Sequence, residues 1–171
     1  MARISMVEYE TASPEAKAQY DDQISRHGRI TNMKKTLLHS LPGFHALMEW
    51  YPLRDEAAKF LSDREINFYC YAISLQNDCL ICSRFFSKIL KDQDIDFDTF
   101  AFTSREELLN AYGRALVNNP SNIPDTLFAQ LGELFNEEQI VLLTAFGSIM
   151  IATNLINTAL SVKLDDYLLG Y

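Results

Sequence analysis

Hydrophobic positions along the chain recur with the spacing of α-helices, and no stretch alternates apolar and polar residues as a half-buried strand would. Hairpin turns of the Asn-Gly, Asp-Gly or Gly-Gly type do not occur in the sequence. The pattern predicts helices over residues 13–26, 33–39, 42–58, 63–76, 79–91, 104–118, 123–134 and 137–160, with a short terminal helix at 163–169. We therefore predict an all-α fold, a single-domain bundle of about eight helices that spans residues 1–171.

Helix start signals support these boundaries. Ser13-Pro14 combines an N-cap residue with proline at the first helical position. Reciprocal capping boxes, in which two side chains three residues apart satisfy each other's backbone N–H groups, are predicted at three further starts. They are Ser62–Glu65, Ser104–Glu107 and Asn136–Gln139. Each box precedes a long apolar run, as expected for a helix that packs into a core.

The stretch 139–162 carries no charge and is long enough to span a bilayer. Thr, Ser and Asn residues recur throughout it, however, and it begins with the cap chemistry of a soluble helix. We predict a buried core or subunit-interface helix. Asn154 and Asn157 share one of its faces, where they either line an interface or satisfy each other and nearby backbone groups.

Composition narrows the class of protein. Hydrophobic residues make up 48% of the 171 residues and charged residues 22%, an ordinary balance for a chain with a packed core. The net charge of −8 repels phosphate backbones and anionic membrane surfaces, so nucleic-acid and membrane partners are not expected. The first ten residues contain no apolar signal segment, and we expect a cytoplasmic protein.

The chemistry of the sequence lies in a C-x-x-C motif formed by Cys79 and Cys82. Asn77-Asp78 is a natural N-cap pair that would place Cys79 in the first turn of a helix, where free N–H groups and the helix dipole lower the pKa of a thiol. One helical turn separates the two sulfurs, so they could form a disulfide that opens and closes. In a cytoplasmic protein this pattern is typical of redox chemistry.

Two other interpretations of the cysteines were open. A zinc site would need two more ligands from Cys70, His27, His39 and His45, and these form no second paired motif. The cysteines could also simply pack, because free cysteine behaves as a small hydrophobe. A thioredoxin-like site would need a strand before the motif, whereas the preceding residues are predicted to be helical. We predict no metal and no cofactor.

The motif and its helical context resemble the carboxymuconolactone decarboxylase family, in its alkylhydroperoxidase-like (AhpD-like) branch. That family's site combines a glutamate with C-x-x-C-x-x-x-H, and the matching segment here is 63–86, with weaker similarity at 37–42 and 154–160. The resemblance implies a homo-oligomer, trimeric or hexameric, that reduces peroxides and is recharged by a thiol/disulfide reductant. It also implies that Cys82 is peroxidatic and Cys79 resolving, whereas helix-terminus chemistry alone favours Cys79 as the nucleophile. Whether Cys79 or Cys82 is the attacking thiol stays open.

Two positions depart from the family pattern. Phe86 stands where the histidine is expected, and Asn67 stands twelve residues before the first cysteine, where the glutamate is expected. Glu65, two residues earlier, acts as the base if the turn before Cys79 carries two extra residues. Its alternative role is structural, as the last member of the Ser62 capping box.

These observations predict a thiol-dependent alkylhydroperoxidase or disulfide oxidoreductase in antioxidant defence, with Cys79, Cys82 and Glu65 as the catalytic residues. The alternative is a redox-sensing or ligand-binding oligomer with a degenerate peroxidase site, which the substitution at Phe86 favours. Lactone decarboxylation, suggested by the family name, is disfavoured because that reaction needs no dithiol.

Overall fold

The computed structural model describes residues 2–171, and these form nine α-helices and three short 3-10 turns, with no strand in the described part of the chain. The helices are α1 (Pro14–His27), α2 (Asn32–Leu37), α3 (Leu41–Met48), α4 (Trp50–Ala57), α5 (Asp63–Gln76), α6 (Leu80–Lys91), α7 (Ser104–Asn118), α8 (Asp125–Leu134) and α9 (Glu137–Ala159). The all-α prediction is confirmed.

Capping interactions explain where the helices begin. At α5 the Ser62 Oγ accepts the Glu65 N–H at 3.2 Å while the Glu65 carboxylate accepts the Ser62 N–H at 2.7 Å, as predicted. At α7 the capping box is one residue earlier than predicted, between Thr103 and Glu106. Arg64 of α5 pairs with Glu106 at 2.8 Å and leaves it 2% exposed, which explains why this glutamate is drawn inward.

Two predicted helices differ from the structure. The segment 42–58 is divided into α3 and α4 at Glu49. Pro52 has no N–H to donate back across this junction, so the helical hydrogen-bond ladder is interrupted there. The predicted terminal helix at 163–169 is reduced to a 3-10 turn at Asp166–Leu168.

Helix α5 lies at the centre of the bundle and packs against α6, α7 and α9. Tyr69 of α5 is fully buried and donates its hydroxyl to the Leu143 carbonyl of α9 at 2.8 Å. Gly147 makes this close approach possible, because a Cβ at this position would lie 2.5 Å from the Tyr69 hydroxyl oxygen. The contact fixes α9 against α5 near the middle of the bundle.

A second apolar cluster joins α1, α2 and α3, with Tyr20, Leu37 and Phe44 among its buried members. It packs against Ile149 and Ile156 of α9. The two clusters meet along α9, and a cavity lies between them.

Helix α9 is the one described helix that is long and apolar enough to cross a membrane. In the bundle it packs against α4 and α5, and its inward side carries buried residues that include Phe146, Met150 and Asn157. These contacts agree with the predicted core helix.

Candidate active site

The C-x-x-C motif begins α6. Asn77 ends α5 and Asp78 has a left-handed backbone conformation with φ of 49°, so both residues serve to reverse the chain rather than to cap α6. Cys79 is itself the N-cap, and its Sγ accepts the Cys82 N–H at 3.3 Å. The prediction that Cys79 lies inside the first turn was therefore wrong by one position.

The two predicted cysteines lie together. Their Sγ atoms are 2.7 Å apart, both are free thiols, and they are only 1% and 5% exposed. Cys70, the third cysteine, is fully buried within α5, and burial raises its pKa. The two thiols are thus in direct contact, which is the arrangement required for a proton to pass between them and for a disulfide to form.

The pKa values of the two thiols are displaced in opposite directions. Hydrogen bonds from the Cys82 thiol and the Cys82 backbone N–H lower the pKa of Cys79, although burial opposes this. Burial raises the pKa of Cys82 well above its ordinary value. Cys79 is thus the thiol that ionises first.

A cavity of about 120 Å³ opens beside Cys82. Cys82 lines the cavity and Cys79 lies behind it. Most of the wall is apolar, with Met33, Leu47, Trp50, Phe85, Phe86 and Met150 among its residues. The polar lining includes Lys34, Tyr51, Asn157, Asp165 and Tyr167. A small molecule in this cavity would meet Cys82 first.

Asn157 of α9 contacts the sulfur that faces the cavity. Its Nδ2 donates to Cys82 Sγ at 3.2 Å and to Met33 Sδ at 3.4 Å, and its Oδ1 is buried without a partner. Asn154 instead approaches Ser74 at 3.5 Å. The expectation that the two asparagines satisfy each other was wrong. Two asparagines on one face of an uncharged helix were the sequence signal for this contact.

Lys34 of α2 is a further cavity-lining residue that was not predicted from the sequence. It is 5% exposed, and its ammonium group donates to the Gln23 side chain and, at 2.7 Å, to the Tyr51 hydroxyl. Burial lowers the pKa of Lys34 to about 8. In the sequence it is one of two adjacent lysines and carries no signal of burial.

Comparison with known proteins rests on structure, because neither a scan of family models nor a search of curated proteins returns a match. The chain is similar to the alkylhydroperoxidase AhpD core of a peroxidase-related protein from Ralstonia eutropha JMP134. The TM-score is 0.75 at 17% identity, over 98% of this chain and 94% of that one. The chain has the AhpD-like fold.

Two further solved structures share it. A peroxidase-related protein from Silicibacter sp. TM1040 matches with a TM-score of 0.75 at 14% identity, over 97% of this chain and 94% of that one. The debrominase Bmp8 matches with a TM-score of 0.72 at 17% identity, over 96% and 93%. These similarities confirm the fold that the family resemblance implied, and the debrominase indicates that the fold serves more than one activity.

Phe86 occupies the position where the AhpD-like pattern has a histidine. Its side chain is buried, lines the cavity and packs edge-on against Phe85 with ring centroids 5.1 Å apart. It therefore supplies an apolar wall beside Cys82 and no proton-transfer group.

Glu65 lies at the other end of α5 from the cysteines. From Glu65 to Gln76 the helix rises by about 16 Å. The carboxylate binds the Ser62 N–H and hydroxyl and pairs with Arg105 at 2.7 Å. Although burial opposes it, these contacts with Ser62 and Arg105 hold the pKa of Glu65 below its ordinary value. The structure does not bring Glu65 to the thiols.

The residues considered for zinc are also dispersed. Among residues 2–171 no group of three or more His, Cys, Asp or Glu side chains is arranged to hold a metal ion. The described site thus combines the thiol pair and the Asn157 amide with a largely apolar cavity whose other polar lining residues include Lys34, Tyr51, Asp165 and Tyr167.

Proposed function

We propose that this protein is a thiol-dependent peroxidase in antioxidant defence that reduces hydroperoxides at Cys82 and stores the oxidation as a Cys79–Cys82 disulfide. The observation that carries the proposal is the arrangement of the two sulfurs, with Cys82 at the cavity and Cys79 in contact behind it. The AhpD-like fold, which peroxidase-related proteins share, supports the same activity.

The first step needs a thiolate on Cys82, although Cys79 ionises first. The Cys79 thiolate can take the Cys82 proton across the 2.7 Å contact, so that Cys79 acts as the base. The Asn157 N–H then stabilises the negative charge on Cys82. This arrangement removes the need for a histidine at Phe86 and for Glu65 as a base.

The Cys82 thiolate attacks the terminal oxygen of the hydroperoxide, the O–O bond breaks, and the alkoxide takes a proton from solvent to leave as an alcohol. Cys82 becomes a sulfenic acid. The Cys79 sulfur then attacks the Cys82 sulfur, and the displaced hydroxide leaves as water with the Cys79 proton. A dithiol reductant restores both thiols with two electrons and two protons.

Stopped-flow oxidation of the reduced protein tests the proposal. Cumene hydroperoxide and hydrogen peroxide should each consume two thiols per chain, and Cys82→Ser should abolish the reaction. Cys70→Ala is the matched control, because Cys70 is buried outside the cavity lining. No thiol loss with either peroxide, or an unchanged rate in Cys82→Ser, would refute the assignment.

Phe86 favours a second candidate, a redox sensor in which the disulfide changes assembly instead of supporting turnover. Exposed apolar side chains at Leu80, Val141 and Leu155 support assembly into a homo-oligomer, which we propose for either function. The mass of the oligomer under reducing and oxidising conditions, measured by light scattering, separates the two. A mass that changes with oxidation, together with no sustained turnover by a dithiol, supports the sensor.

A further inference from the structure

Lys34 is a buried cation without a carboxylate in contact. Burial lowers the pKa of Lys34, and Asp22 opposes this from farther away, but the Asp22 carboxylate is partly exposed and pairs with Arg26 at 2.7 Å. Both acceptors of the Lys34 ammonium group, on Gln23 and Tyr51, are neutral. Among residues 2–171 no carboxylate oxygen lies within 4.0 Å of Lys34 Nζ. An unpaired charge inside a protein is costly, because the lost hydration is not replaced by an opposite charge. An anion at this position would offset that cost.

The cavity offers room for such an anion next to Lys34. Lys34 and Cys82 both line it, and most of the wall around them is apolar. Asp165 is the one carboxylate among the described lining residues, and it accepts the Asn32 N–H at 2.9 Å. Its carboxylate oxygens lie more than 4.0 Å from Lys34 Nζ. Gln23 and Tyr51 accept two of the three N–H groups of the Lys34 ammonium, which leaves one N–H for a ligand.

The volume of the cavity limits what can enter. An apolar cavity of roughly 150 Å³ holds one benzene molecule. The cavity here measures about 120 Å³ and has aromatic walls at Phe85 and Phe86. This volume is somewhat less than that of a benzene-sized cavity, but the cavity is open on one side, so it fits a short aliphatic chain or a single ring that is only partly enclosed.

We propose that this cavity binds a small organic acid whose carboxylate pairs with Lys34 and whose ring-sized apolar body extends toward Cys82. A carboxylate suits the site because it accepts charge-assisted hydrogen bonds from an ammonium group. The site also defines a substrate class for the peroxidase proposed above, namely a small hydroperoxide that carries a carboxylate. This assignment of the substrate rests on the proposed activity. Acid binding itself does not depend on peroxidase activity.

Calorimetric titration of the reduced protein with benzoate and with its neutral analogue benzamide tests the site. Benzoate should bind about 10- to 100-fold more tightly than benzamide, the range expected for hydrogen bonds to a charged group. Lys34→Met should remove this preference. Lys35→Met is the matched control, since it loses the same charge on the same helix but Lys35 pairs with Glu8 outside the cavity lining. The comparison of the two ligands on the unaltered chain needs no variant to fold.

Protection of Cys82 locates the ligand. Saturating benzoate should slow alkylation of Cys82 by iodoacetamide, as followed by peptide mass spectrometry, and benzamide at the same concentration should not. Equal affinity for the two ligands, no benzoate binding, or unchanged benzoate affinity in Lys34→Met would overturn the acid site. If benzoate binds as expected but no hydroperoxide oxidises the thiols, the peroxidase proposal fails while the acid site stands.

Discussion

Helices α5 and α6 begin with the same backbone arrangement but with different atoms. At α5 the Ser62 oxygen accepts the N–H of the residue three positions later at 3.2 Å, and at α6 the Cys79 sulfur does the same at 3.3 Å. At α5 the Glu65 carboxylate returns to the Ser62 N–H and completes a reciprocal box, whereas at α6 the Cys82 sulfur contacts the Cys79 sulfur and the Cys79 N–H donates to the Ser74 carbonyl at 3.1 Å. The two starts thus share the first cap hydrogen bond, and only α5 has the second.

The N-termini of α5 and α6 differ in their surroundings. The Ser62–Glu65 box contacts Arg105 at a partly exposed corner of the bundle, so its carboxylate stays ionised and structural. The sulfur pair is buried beside an apolar cavity and meets an amide donor from α9. Cap geometry alone therefore does not create a reactive site. Reactivity needs sulfur at the cap and a cavity that admits a substrate.

The largest effect is expected when the sulfur cap at the start of α6 is replaced by an oxygen cap like that of α5. Cys79→Ser keeps a cap on α6 but removes both the base that deprotonates Cys82 and the resolving thiol, so turnover with a dithiol reductant should fall by more than about 100-fold. Oxidation of Cys82 should be slower than in the wild type, and the sulfenic acid that forms has no resolving thiol and should be trapped by dimedone in mass spectra. Turnover at the wild-type rate would exclude Cys79 from the mechanism.

Removal of the amide donor should have the next largest effect. Asn157→Ala loses a hydrogen bond to the developing thiolate, and the rate of Cys82 oxidation should fall by roughly 10-fold. Asn154→Ala, the same change one turn away without contact to Cys82, is the control for stopped-flow measurement. Equal rates in the two variants would show that the Asn157 contact is not used.

The pH dependence of ionisation tests the coupling of the two thiols. Because the pKa of Cys79 is lowered, its thiolate absorbance at 240 nm should develop at lower pH than that of free cysteine, while Cys82 ionises at higher pH. In Cys82→Ala the main donor to Cys79 is lost, so the first ionisation should move to higher pH. If the first ionisation occurs at the same pH in Cys82→Ala as in the wild type, the coupling of the two thiols is contradicted.

At the start of α5, loss of the Ser62 cap should lower the stability of the fold and leave the reaction of the thiols unchanged. Ser62→Ala should lower the free energy of unfolding by about 1 kcal/mol, measured with urea, because the Glu65 N–H loses its acceptor. Oxidation of Cys82 by peroxide should keep its rate. A slower oxidation in this variant would mean that the two helix starts are coupled.

The smallest effect is expected for Glu65→Gln. Glutamine can keep the cap, and the ion pair with the partly exposed Arg105 contributes only about 0.5 kcal/mol. Peroxide oxidation should be unchanged if Glu65 is a cap residue. A large loss of oxidation rate with intact stability would restore Glu65 as the catalytic base.

Much of the fold could be predicted because its signals are local. The Ser62 box located α5 at residues 63–76, since cap and helix involve neighbouring residues only. The division of 42–58 at Glu49 was missed, although Pro52 in the first turn of α4 is a local signal for it. The box at Thr103 was displaced by one residue because the Arg64 contact with Glu106 comes from another helix.

The candidate site was predictable only in part, for the same reason. The C-x-x-C spacing brings Cys79 and Cys82 into contact across one helical turn, whatever surrounds them. Glu65 was proposed on spacing, but the rise of α5 carries it away from the thiols. Lys34 and Asn157 reach the cavity from α2 and α9, far from the motif in sequence, so the spacing around the motif could not place them there.

By itself, the sequence determined the helices, most of their caps and the close pair of thiols, because each depends on residues within one or two turns of one another. Only the tertiary structure decided that Cys82 faces the cavity and that Cys79 lies behind it. It also decided that an amide from α9 contacts Cys82 and that Lys34 of α2 lines the same cavity. Burial and packing between distant helices set these features, and they have no periodic signature in the chain.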